Sequence, residues 1–158
     1  MKKWLLYGVV LVAAVLLIND ENGPGSDIAK LEPARILLVE AVPGGVAVRT
    51  DMGQLGSGED LSSAVKDMEE TASGQVFLDT AEYLLVGPGA VKWLPELAGI
   101  LRSSCQLCLA EGVTDPETAA EYLAVHEPSY TLGDWKKGED GLAVLYLIEE
   151  RMYLAKPY

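Results

Sequence analysis

The sequence predicts an α/β (α+β) fold: a mixed β-sheet with about three helices, preceded by one N-terminal transmembrane helix. Three observations predict it. An uncharged apolar run opens the chain, β-rich runs then alternate with segments of helical period, and Gly- and Pro-containing turns separate the two kinds.

The opening run is Trp4 to Ile18, "WLLYGVVLVAAVLLI", preceded by Lys2 and Lys3 and followed by "NDENGPGSD". As a helix its 15 residues rise about 22 Å, a little short of the roughly 30 Å hydrocarbon core, and Met1 and Asn19 extend it at the interface. A cleaved secretory signal is the competing reading and needs small residues just before the cut. Here Asn19, Asp20, Glu21 and Asn22 come next, and Gly23 and Gly25 bracket a proline. No polar stripe interrupts the run, which disfavours a buried soluble helix. The sequence therefore predicts a signal anchor over residues 1–18, a linker over 19–33 and an α/β domain over 34–158. Lys2 and Lys3 mark the cytoplasmic end, so the predicted location is the cell membrane, single-pass, with the C-terminal domain outside the cytoplasm. No lipobox cysteine follows the run.

Without Lys2 and Lys3, 10 basic residues face 24 acidic ones, a balance of −14. Phosphate backbones and anionic lipid surfaces repel such a domain, which excludes nucleic acid as a partner class.

Along the domain, "RILLVEAV" and "GVAVRTDM" flank Pro43-Gly44-Gly45 and predict a hairpin. "GQLGSGED" reads as a glycine-rich loop. Glu59 or Asp60 then leads a helix with Leu61, Ala64, Val65 and Met68 on one face, ended by Ser73-Gly74. "QVFLDTAEYLLVG" reads as strand with a break near Asp79-Thr80. Gly87-Pro88-Gly89 turns into a second helix, with Val91, Leu94, Leu97, Ala98 and Leu101 at helical spacing. A short apolar strand closes at Glu111-Gly112. Thr114 or Asp115, with Pro116 and Glu117, starts a third helix reaching His126. A polar connection carries Trp135, and "GLAVLYLIEERMYLAKPY" predicts a closing hairpin around Glu149-Glu150-Arg151. The predicted order is β-β-α-β-α-β-α-β-β, without internal repeats.

The chemistry-bearing residues are few. Cys105 and Cys108 are the only cysteines, spaced C-x-x-C. On a strand, residues three apart face opposite sides, so the pair can neither form one disulfide nor chelate one ion. A redox C-x-x-C opens a helix, whereas this one follows a helix and leads into a strand. Core cysteines are the first reading, with a disulfide at a kinked strand start and redox or metal chemistry as alternatives. His126, the sole histidine, suits the negative end of a helix. No serine sits in G-x-S-x-G, and Gly53 to Gly58 lacks the spacing of a dinucleotide or phosphate loop. The paired carboxylates Glu59/Asp60, Glu69/Glu70, Asp115/Glu117 and Glu149/Glu150 read as solvated faces, and Trp93 and Trp135 as core and rim packing. The sequence identifies no catalytic, cofactor-binding or metal-binding residue.

The order and several short passages resemble the N-terminal domain of the Ger(x)C family, the C subunits of spore-germination receptors. "LGSGEDLSSAV" is similar to that family's loop-to-helix passage, "EYLLVGPGA" to its apolar strand ending in glycine, and "LPELAGILRSS" to its helix ending in arginine. "CQLCLAEGVTDPETAAEYL" and "GLAVLYLIEERMYLA" look like its next strand and helix and its "G-x-A-V-F" hairpin. The likeness covers roughly residues 35–155. The chain departs from the family in lacking a lipobox cysteine, in carrying Thr80-Ala81 near the position of a common histidine, and in having no counterpart of the large C-terminal domain. The resemblance implies a small membrane-tethered relative that serves spore germination or envelope assembly by binding protein partners, among them other germination-receptor-like subunits.

The predicted function is thus a non-enzymatic, membrane-anchored extracytoplasmic domain, attached to the membrane through residues 4–18 and acting through protein–protein contacts. The alternatives are a thiol-disulfide oxidoreductase using Cys105 and Cys108, and a small-ligand sensor with a pocket beside the Gly53–Gly58 loop.

Overall fold

A computed structural model of the chain describes residues 31–155. The predicted anchor at 1–18, linker residues 19–30 and the last three residues lie outside the described residues. Leu31–Pro33, read from sequence as the end of the linker, instead forms strand β1, which pairs with β5 (Gln75–Phe77) in a two-stranded sheet.

The main sheet is mixed and has seven strands. β2 (Ile36–Val42), β6 (Tyr83–Val86), β7 (Gln106–Glu111) and β8 (Ala143–Ile148) run parallel at its centre. β3 (Gly45–Thr50) and β4 (Leu55–Gly58) add antiparallel on one side and β9 (Arg151–Ala155) on the other, giving the order β4-β3-β2-β6-β7-β8-β9. The register lines up Leu37, Leu84 and Leu107 on one face, and Leu38, Leu85, Cys108 and Ala143 on the other, all of them buried. That double burial is why these strands read as continuous apolar runs rather than alternating ones.

Four α-helices of the described residues cover the two faces. Leu61, Ala64 and Met68 of α1 (Leu61–Thr71) and Leu94 and Leu97 of α2 (Leu94–Ile100) pack on the first. α3 (Pro116–Val125) packs on the second through Ala119, Ala120 and Leu123. The short α4 (Leu132–Lys137) returns to the first face with Leu132. The helix starts follow the sequence: Asp60 accepts from the Ser63 amide at 2.8 Å and Asp115 from the Glu117 amide at 3.1 Å, with Pro116 in the first turn of α3.

Two readings need correction. The polar connection around Trp135 is α4, a fourth helix where about three were expected. A reciprocal cap forms it: Asp134 N–H donates to the Thr131 hydroxyl at 3.2 Å and Thr131 N–H to the Asp134 carboxylate at 2.9 Å. Gly138, at φ 73, ends it in the left-handed conformation, with Lys136 and Lys137 in the last turn. Second, most of "GQLGSG" is strand rather than loop. A Cβ on Gly56 would overlap the Ala64 carbonyl oxygen, so glycine here lets β4 lie directly against the backbone of α1. α1 in turn closes the outer edge of β4. The Ser57 amide donates to the Asp67 carboxylate at 2.8 Å, and the Thr71 hydroxyl donates to the Leu55 carbonyl at 3.3 Å.

Candidate functional site

The two thiols fall where strand alternation puts them. Cys105, just before β7, belongs to the core of the first face and Cys108 to that of the second, and both are free and buried. Burial pushes each thiol up to about 12, with the Arg102 guanidinium opposing this at Cys105. A neutral thiol is a poor nucleophile and a poor metal ligand, and the intervening sheet keeps the pair from sharing a disulfide or an ion.

His126 caps the C-terminus of α3. Its ring stacks on Tyr122 with centroids 4.3 Å apart, and its Nδ1 lies 3.1 Å from the Tyr122 carbonyl oxygen. The imidazole is therefore occupied with its own helix end, the role its position in the sequence suggested. Among the described residues no group of three His, Cys, Asp or Glu side chains is placed to hold a metal ion.

What remains is a surface centred on the β3–β4 connection. An open depression of about 690 Å³ lies between that connection and the start of α3, lined by Arg49, Asp51, Met52, Leu55, Thr114 and Glu117 among others. Arg49, at the end of the apolar strand β3, projects toward the start of α3. Its Nη1 donates to the Thr114 carbonyl at 3.2 Å, while Nε lies 3.7 Å from Glu40, an ion-pair distance without a hydrogen bond. Asp51 is held as a backbone cap on β2, accepting from the amides of Arg35 and Ile36 at 2.9 and 3.1 Å. Asp115 is held below the usual carboxylate range chiefly by the Thr118 hydroxyl, and secondarily by the amides of the first turn. Met52 and Leu55, each more than half exposed, separate this depression from a second of about 570 Å³ bounded by Ser57, Asp67 and Thr71.

No family model, curated protein or solved structure matches the chain.

A third, smaller depression of about 230 Å³ sits at the N-terminal ends of β6 and β7, among Glu82, Tyr83, Arg102, Ser104, Gln106 and Glu127. Arg102 spends its guanidinium on the Thr80 carbonyl at 3.0 Å, and Glu82 pairs with Arg35 at 3.3 Å. The Gln106 side-chain oxygen is buried there without a hydrogen-bond partner among the described residues. The structure thus places a depression beside Gly53–Gly58, the segment singled out in the sequence, and disperses the cysteines, the histidine and the paired carboxylates. Sequence reading missed Arg49 and Gln106. Arg49 carries a weak signal, as the lone charge closing "GVAVR", but nothing in the sequence links it to Thr114, 65 positions away.

Proposed function

We propose that this protein is a non-enzymatic, membrane-anchored extracytoplasmic domain that acts through protein contacts, serving spore germination or spore envelope assembly. The observation that carries the reading is the uncharged Trp4–Ile18 run behind Lys2 and Lys3, joined to a folded α/β body whose reactive groups are committed to packing and capping. Of the passages that resemble the Ger(x)C family, "LGSGEDLSSAV" covers β4 and the start of α1, and "EYLLVGPGA" covers β6 and the turn after it. That correspondence supports the family reading of element order. Burial of both thiols on opposite faces weighs against the oxidoreductase alternative. Deleting the gene in its host and following germination and envelope morphology tests the proposal. Slowed germination or an altered envelope is expected, and wild-type behaviour on both counts overturns it.

A small-ligand sensor is the second reading, favoured by the depression of about 690 Å³ beside Gly53–Gly58. A thermal-shift screen of the full chain tests it: a ligand should raise the melting point, and Arg49→Ala should abolish that rise.

A further inference from the structure

We infer that β9 is a self-association edge, at which two copies of this chain pair β9 to β9, antiparallel, about a twofold axis at Tyr153. The inference goes beyond the function proposed above, because it stands on the strand edge and holds whether or not residues 4–18 occupy a bilayer. The two edges of the main sheet differ. On β4, α1 supplies a carboxylate and a hydroxyl to the outward backbone groups. On β9 the outward groups belong to Met152 and Leu154, because the two-residue turn makes Ile148–Arg151, Tyr146–Tyr153 and Val144–Ala155 the hydrogen-bonded pairs of the β8–β9 ladder. Among the described residues only the Leu154 amide has a partner, the Tyr122 hydroxyl at 3.2 Å. β9 carries neither proline nor a bulge nor a charge on its buried face, the devices that guard natural edges.

The occupant that fits is a second copy. Full overlap of Arg151–Ala155 with its mate sets Met152 of each copy opposite Leu154 of the other, and these are the two residues whose backbone groups point outward. The Leu154 amide then exchanges the Tyr122 hydroxyl for the Met152 carbonyl of the second copy. Tyr153 meets its own mate. Tyr146 lies opposite Tyr153 within each copy, so four tyrosines form a row across the axis on the face where Ile148 and Tyr153 are 54% and 48% exposed.

Cross-linking and sedimentation of the full-length chain in mild detergent test the pairing. Tyr153→Cys places two thiols in a non-hydrogen-bonded cross-strand pair about 4.5 Å apart at Cβ, at the edge of disulfide reach. Mild oxidation should join two copies through that residue far more efficiently than through a control thiol at exposed Ser62, while buried Cys105 and Cys108 stay out of reach. Met152→Pro removes an amide that makes no bond to β8, so the circular dichroism spectrum should persist while dimerisation weakens by about tenfold or more. Cross-linking at Tyr153→Cys no better than at Ser62→Cys overturns the inference. So does a wild-type chain that sediments as one copy at every concentration, or a dimer undiminished by Met152→Pro, which would mean association through another surface.

Discussion

Glu149 and Glu150 turn the chain from β8 to β9 with φ of 48° and 64°, a left-handed pair that favours Asn-Gly. Each β-carbon held there costs about 1 kcal/mol or somewhat more. Replacing the two with Asn and Gly together is expected to stabilise the protein by about 1–2 kcal/mol, raising the melting temperature by a few degrees in a thermal scan. The cysteines set a second residue-scale expectation. Their folded-state values of about 12 lie above the ordinary 9.0, so between those values the folded chain keeps protons that the unfolded chain releases. The stabilisation from neutral buried thiols is complete below pH 9.0 and is lost as pH rises through about 12. Equilibrium denaturation across that window should show stability falling with pH, and a Cys105→Ala/Cys108→Ala double variant should show a shallower fall. At pH 8 neither thiol should react with an aromatic disulfide reagent until denaturant is added, and rapid native labelling would contradict the burial seen here.

At the scale of elements, β4 and α1 act as one unit, because glycine brings strand and helix backbones into contact. Gly56→Ala has no room for its methyl group and is expected to destabilise the fold by about 3 kcal/mol, measured by urea denaturation, whereas Gly53→Ala meets no neighbour and costs only its positive-φ strain. Much of the architecture was legible in the sequence: the Pro43-Gly44-Gly45 hairpin, the break at Asp79-Thr80, the Asp115-Pro116 helix start and the closing hairpin. Each carries its own local chemistry, a turn residue or a cap. β4 was not legible because Gly-Ser-Gly signals a loop unless a neighbouring helix is known to press on it. α4 was hidden by its length, since one buried leucine in six residues shows no periodicity, although the Thr131–Asp134 cap and Gly138 were in plain view. The depression was legible only on the glycine side. Its other wall comes from the start of α3, which Arg49 joins by a contact that chain order does not reveal.

At the scale of the molecule, one sheet divides two cores, and a surface rich in carboxylates encloses both. Mutual repulsion among those charges opposes the compact state, so raising salt from about 0.01 to 0.15 M should raise the melting temperature, and a flat response would show that local pairing has already neutralised the field. The strand order has a further consequence. Once β3 and β4 have extended β2 on one flank, β6, β7, β8 and β9 add in chain order on the other, each beside a strand already made. A polypeptide emerging from its N-terminus can therefore assemble by accretion, the first hairpin serving as a template and each later strand docking as it appears. No gap has to be held open for a latecomer, a convenience for any chain that must take shape while it is still being threaded out.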